Sequence, residues 1–211
     1  ERQTQRKYNM KYFWLIIMVC LSFPAFADNA KFERRGTVLI YNSNISDDEY
    51  VNQITIEDVE IFRSFIEDKR PWKKIWTIRL TSQGGSEQAA HLISELILKH
   101  KLDTQASGMC ASACTNIFIA GKKRRLMQGA QLAFHPHALS NNDSEENKKM
   151  FKKHFPDLNF IQAIAHNERL GAIDMIKRHA ERSIDIVFTL RVLGIHPNGE
   201  WIPTRYELRE Y

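Results

Sequence analysis

The chain has 211 residues, of which 43% are hydrophobic and 26% are charged, and its formal net charge is +5. This length fits one domain with a substantial core, and no linker rich in Pro, Gly or Ser divides the chain. We expect no nucleic-acid surface, because the one basic run, residues 122–125, is typical of a solvated turn.

The first 27 residues have the organisation of a secretory signal peptide. Basic residues, the last of them Lys11, precede an apolar run over residues 12–23, and an A-x-A pattern follows at residues 25–27. The run is too short for a membrane anchor, which needs about 20 consecutive apolar residues. We therefore expect cleavage after Ala27.

Cleavage would leave one domain, residues 28–211, in the periplasm or outside the cell. It removes four of the 30 basic side chains and one of the 25 acidic ones, so 26 and 24 remain and the net charge falls to +2. The protein would contact the membrane only through the uncleaved segment 1–27. Met10 is the natural start of the signal, and we interpret residues 1–9 as a start-site artefact.

Strand and helix patterns alternate after the signal. The sequence predicts a buried strand over residues 37–41, an amphipathic helix over 57–69 and a second strand over 75–80. That strand runs into Gly84-Gly85, and a helix over 86–100 follows with Ser86 as its cap. Glycine lets such a turn adopt unusual backbone angles and leaves N–H groups uncovered.

The same strand, turn and helix recur further along the chain. We predict a strand over residues 103–107, a turn over 108–112, a helix over 113–120 and a strand over 125–135. A polar loop over 141–149 and mostly helical patterns from 158 onward complete the chain. Alternating strands and helices indicate a layered α/β fold.

The turns carry the parts that a serine hydrolase combines. Ser112 lies where a helix begins, and the helix dipole and unpaired N–H groups there favour developing negative charge. His135 ends the following strand and can act as a base. A nucleophile, a base and backbone N–H groups for an oxyanion are what acyl transfer requires.

These motifs resemble those of the Clp protease proteolytic subunit in the Clp/crotonase superfamily, and especially its secreted, periplasmic branch. The matching motifs are Gly84-Gly85 after a strand, Ala111-Ser112-Ala113 at a helix start and Ala133-Phe134-His135 at a strand end. The resemblance covers residues 75–137 and implies a Clp/crotonase-like spiral of ββα units. It further implies a peptide or protein substrate, a homo-oligomer and no cofactor.

The resemblance also implies roles for individual residues. Ser112 would be the nucleophile and His135 the base, and the N–H groups of Gly85, in the turn with Gly84, and Ala113 would form the oxyanion hole. His137 lies two residues beyond His135, but Pro136 is expected to end the strand and so favours His135. No ATPase partner is expected outside the cytoplasm, so the peptidase would act without ATP.

The third member of a triad has several candidates. Asp185 is the first choice, because its distance along the chain and the following Ile-Val-Phe-Thr fit the family pattern. A helix-start landmark at residues 201–207 fits better and would put Glu200 or Asn198 near that position. A lysine base is a further alternative within the superfamily, with Lys122 and Lys123 as the nearest residues, but His135 matches its motif more closely.

Two cysteines, Cys110 and Cys114, bracket Ser112. A secreted location permits a disulfide, and the C-x-x-x-C spacing differs from that of thioredoxin, so a structural bond is favoured over a redox-active one. No metal site is expected, because the eight histidines are scattered and solvated helix faces explain those from His166 to His179.

One function of a different class remains open. The chain could be a non-catalytic periplasmic scaffold of the same fold, whose groove binds a peptide or a partner protein. The unassigned acid is the feature that keeps this alternative open.

Overall fold

A computed structural model describes residues 31–46, 52–135, 149, 152–153, 160–195 and 199–210. The signal segment 1–27, His137 and Asn198 lie outside these ranges, so the expectations that fall on them stay predictions. Within the described ranges, no helix has both the length and the hydrophobicity needed to cross a membrane.

Six strands form one sheet. They are β1 Phe32–Arg35, β2 Val38–Asn42, β3 Thr77–Ser82, β4 Asp103–Ala111, β5 Arg124–Leu126 and β6 Gln131–Ala133. The first four are adjacent in sequence order, and β5 and β6 both pair with β4. Strand β1 is antiparallel to β2, whereas all other pairings are parallel.

Helices connect the parallel strands. They are α1 Ile56–Ile66, α2 Glu87–His100, α3 Ala113–Ile119, α4 Phe160–Glu181, α5 Ile186–Leu193 and α6 Glu207–Glu210, and a single 3₁₀ turn covers Pro71–Lys73. Parallel strands require such crossovers. The mixed α/β architecture that the sequence predicts is therefore confirmed.

The core lies between the sheet and the helices. Alternate residues of β2 and β3 point inward and are fully buried, among them Leu39 and Leu80. Ile93 and Ile97 of α2, four residues apart on one helix face, pack in the same core. Because these periodicities are strong in the sequence, both kinds of element could be predicted.

Two predicted elements need correction, and one strand was not predicted. The strand expected over 125–135 is two short strands, β5 and β6, because Gly129 with φ of +78° makes a turn between them. The turn expected over 108–112 is mostly strand, since β4 continues to Ala111. Strand β1 has a mixed burial pattern that the sequence did not reveal.

Candidate active site

Ser112 is the single residue that joins β4 to α3. Its backbone has φ of +53° and ψ of −129°, a conformation that side-chain-bearing residues rarely adopt. Such a conformation costs of order 1–3 kcal/mol and persists only where the surrounding structure fixes it. A serine on a sharp strand-to-helix turn of this kind presents its hydroxyl away from the backbone of both elements.

The Gly84-Gly85 turn lies directly against Ser112. A β-carbon on Gly84 would be 2.7 Å from the Ser112 Cβ and 3.2 Å from its Oγ. Gly84 also has φ of +112°, which favours glycine. The structure therefore brings together these two turns, which are 27 residues apart in the sequence.

Two backbone N–H groups are unpaired beside Ser112. Ile54 donates to the Gly84 carbonyl at 2.8 Å and accepts from the Ser86 N–H at 2.9 Å, so in this parallel bridge the N–H of Gly85 points away from Ile54. The N–H of Ala113 is at the first position of α3, where a helix supplies no acceptor. Within the described residues, neither N–H has a hydrogen-bond partner.

Strand β6 positions His135, which follows it, near Ser112. Ala111 of β4 pairs with Ala133, and the N–H of Ser112 donates to the Ala133 carbonyl at 3.0 Å. Phe134 then turns into the core, with 4% of its surface exposed, and His135 is solvent-exposed. The strand pairing thus fixes the position of His135 relative to Ser112.

A cavity of about 330 Å³ adjoins both residues. Its lining residues come from the glycine turn, the serine turn, the two residues after β6 and helices α2 to α5. They are Gly85, Glu87, Ser112, Thr115, Asn116, Phe134, His135, Met175, His179 and Val192. A concave site of this size, with apolar walls and a few converging polar groups, is typical of small-ligand and substrate pockets.

A disulfide joins Cys110 in β4 to Cys114 in α3, with the two Cα atoms 5.3 Å apart. Both cysteines are fully buried. The bond therefore links the elements on the two sides of Ser112, as the sequence analysis expected. Cys110 belongs to the strand, so the two cysteines are not on one helix.

The candidate acids lie in different surroundings. Asp185 is exposed and caps α5, where its Oδ1 accepts a hydrogen bond from the Val187 N–H. Glu200 precedes Trp201, which forms an antiparallel bridge with Phe134 through two hydrogen bonds of 2.8 and 2.9 Å. In that register Glu200 is opposite His135. Neither Glu200 nor Asp185 is among the described residues that line the cavity.

The alternative lysine bases are at the other end of α3. Lys122 and Lys123 follow Gly121, beyond the C-terminus of the helix whose N-terminus carries Ser112. Both side chains are exposed and neither lines the cavity. The described residues also gather no cluster of three or more His, Cys, Asp or Glu side chains that could hold a metal ion.

His179 lines the cavity but was not predicted as a site residue from the sequence. Only 3% of its surface is exposed, whereas we expected it on a solvated face. Burial, and then the charges of Arg178 and Arg182, lower the pKa of His179 to about 4. Its spacing from Met175, which is also buried on α4, is the signal that could have placed it on the inner face.

Comparison with known proteins shows a likeness in fold. The sequence matches none of the protein-family models and none of the curated proteins with which it was compared. Its structure is similar to that of a ClpP1 point mutant from Listeria monocytogenes, with a TM-score of 0.52, over 75% of this chain and 82% of the other, at 18% sequence identity. The chain therefore has a Clp protease-like α/β fold.

Proposed function

We propose that the protein is a secreted serine hydrolase that cleaves peptide or protein substrates without ATP. The observation that carries the proposal is the position of Ser112, which has unpaired N–H groups of Gly85 and Ala113 beside it and shares a cavity with His135. The Clp protease-like fold supports the same reaction class by analogy only.

The first chemical step forms an acyl-enzyme. The Ser112 Oγ attacks the substrate carbonyl carbon while His135 accepts the hydroxyl proton. The N–H groups of Gly85 and Ala113 donate to the oxyanion, and each such donor contributes about 3–4 kcal/mol in comparable enzymes. The C–N bond then breaks, and His135 returns the proton to the leaving amine.

The second step releases the product. A water molecule attacks the Ser112 ester and gives its proton to His135, and the tetrahedral oxyanion occupies the same two N–H groups. The ester C–O bond breaks and His135 returns the proton to the Ser112 Oγ. The products are a carboxylic acid and the original serine.

A carboxylate near His135 would orient its ring and stabilise its charged form. We favour Glu200 for this role over Asp185, because the Phe134–Trp201 bridge puts Glu200 opposite His135. The Asp185 carboxylate is engaged at the start of α5. Asn198 remains a further candidate from the sequence.

A homo-oligomer is also part of the proposal. Helices α4 and α5 expose large apolar side chains at about half of their surface or more, namely Leu170, Ile173, Ile186, Val187 and Leu190. Exposed apolar side chains of this size are typical of surfaces that a partner covers. Light scattering of the purified domain gives the oligomeric state, and a monomer at all concentrations would contradict this part.

A fluorophosphonate probe tests the hydrolase. We expect covalent labelling of the folded protein that is lost in Ser112→Ala and kept in Ser107→Ala, which removes an exposed hydroxyl from the same strand. Equal labelling of the two variants would contradict the assignment of Ser112. Absence of labelling in the folded protein would favour the non-catalytic scaffold.

A further inference from the structure

The cavity beside Ser112 has a polar end that the reaction does not use. It extends from the Gly85 turn to α4 and α5, and its lining includes the polar side chains of Glu87 from α2, Asn116 from α3 and His179 from α4. Its volume of about 330 Å³ leaves room for one long substrate side chain. The hydrogen-bond capacity of these three residues defines what that side chain can be.

Glu87 and Asn116 together offer acceptors. The Asn116 Nδ2 donates to the Glu87 Oε2 at 2.7 Å. The other carboxylate oxygen of Glu87 and the amide oxygen of Asn116 have no partner among the described residues. Glu87 is in the first turn of α2, where an acidic side chain interacts favourably with the helix dipole.

His179 contributes a third acceptor. The Thr189 hydroxyl donates to the Asp185 carbonyl at 3.1 Å, so its oxygen must accept the 2.9 Å hydrogen bond from the His179 Nδ1. This arrangement leaves Nε2 without a proton while the ring is neutral. Burial lowers the pKa of His179 to about 4, so the ring is neutral at pH 7.

The lining of the cavity includes one acidic side chain. Glu87 is the one carboxylate among the described lining residues. Two cations are near His179. Arg178 forms an ion pair with Asp174, and the Arg182 Nη2 lies 3.8 Å from the Glu95 Oε1. Both arginine charges still act on the His179 ring. Neither arginine is among the described residues that line the cavity, so Glu87 is the carboxylate that a ligand there would contact.

Three further residues of the lining are apolar. They are Phe134, Met175 and Val192, and each has less than 10% of its surface exposed. Apolar walls suit a methylene chain, whereas the acceptors at the end require a group that donates hydrogen bonds. Lysine and arginine side chains combine these two properties.

We propose that this cavity binds the basic side chain of the residue whose carbonyl Ser112 attacks, with Glu87 as the residue that determines the specificity. The placement of the carbonyl rests on the proposed hydrolase function. Binding of the side chain itself does not require catalysis. The substrates would therefore be peptides or proteins cut after lysine or arginine.

Calorimetry with two matched ligands tests the cavity without catalysis. Nα-acetyl-lysine methylamide and Nα-acetyl-norleucine methylamide differ in the terminal ammonium group, and they are titrated into Ser112→Ala, which cannot be acylated. We expect the lysine ligand to bind about tenfold more tightly or better. Adding Glu87→Gln should remove this difference, whereas adding Glu60→Gln, which neutralises an exposed carboxylate on α1, should retain it.

A second variant distinguishes loss of the Glu87 charge from loss of structure at the Glu87–Asn116 pair. Glu87→Leu should reverse the preference in favour of norleucine, and a misfolded protein would bind neither ligand more tightly. Equal affinities, tighter norleucine binding in the Glu87 protein, or no binding of either ligand would overturn the proposal. With Ser112 intact, hydrolysis of the corresponding methyl esters without a lysine preference would also overturn it while leaving the hydrolase function in place.

Discussion

Gly84 packs so closely against Ser112 that a β-carbon on the glycine would be 2.7 Å from the serine Cβ. Such a distance is below van der Waals contact, and one of the two turns must move to relieve it. The close approach therefore ties the backbone of the Gly84-Gly85 turn to the position of the Ser112 hydroxyl.

Gly84→Ala should abolish fluorophosphonate labelling and lower the free energy of unfolding by at least about 2 kcal/mol. The loss combines the cost of a positive φ with the clash at Ser112. Urea denaturation and labelling rates measure the two effects. Gly129→Ala is the matched control, because Gly129 also has a positive φ but no atom within 4 Å of its Cβ position. Equal losses of stability and of labelling in the two variants would mean that the contact with Ser112 contributes nothing to the effect of Gly84→Ala.

The disulfide should stabilise the turn that carries Ser112. Replacing both Cys110 and Cys114 by Ala should lower the free energy of unfolding by roughly 2 kcal/mol, because a short closed loop restricts the unfolded chain to that extent. It should also slow labelling of Ser112, since the strand and the helix on its two sides are no longer linked. Denaturation of the oxidised and reduced wild-type protein gives an independent check. An unchanged unfolding midpoint after reduction would contradict the prediction.

His179 should make the protein less stable in acid. Its pKa falls from 6.5 to about 4 on folding, so the unfolded state takes up a proton at a higher pH than the folded state does. This contribution is complete above about pH 6.5 and is lost as the pH falls to about 4, with a total of roughly 3 kcal/mol.

Denaturation curves of the wild type and of His179→Gln at several pH values isolate this effect. The free energy of unfolding of the wild type should fall more steeply between pH 6.5 and 4 than that of the variant. Parallel curves over that interval would show that His179 does not change its pKa on folding.

The acid of the proposed triad can be assigned by comparing Glu200→Gln with Asp185→Asn. We expect Glu200→Gln to lower kcat by tenfold or more, because the carboxylate opposite His135 would no longer orient the ring of the base. Asp185→Asn should affect stability more than kcat, since this side chain caps α5. A large loss of kcat in Asp185→Asn alone would restore the first choice made from the sequence.

The sequence predicted the fold where local patterns are strong. The strand before Gly84-Gly85 and the helix after Ser112 each have a clear period and a distinct boundary, and both are found in the structure. The strand expected over 125–135 was wrong because a local alternation does not show which neighbour each half pairs with. Both halves pair with β4, but at different positions along it.

The polar end of the cavity could not be predicted from sequence. Glu87 and Asn116 are 29 residues apart, and the sequence around each indicates only an ordinary polar helix residue. His179 was assigned to a solvated face, because acidic residues such as Asp174 lie near it in the sequence. The apolar residues of α4 do not mark the buried face either, since Ile173 is 61% exposed. Only the packing of α4 against α5, where His179 bonds Thr189, decides which of its faces is buried.

The most direct test of the central claim is to map the fluorophosphonate adduct on the folded protein by mass spectrometry. We predict one adduct, on the peptide that contains Ser112, and at least a tenfold slower labelling in His135→Ala. An adduct on another serine, or labelling of His135→Ala at the wild-type rate, would contradict the assignment of Ser112 and His135.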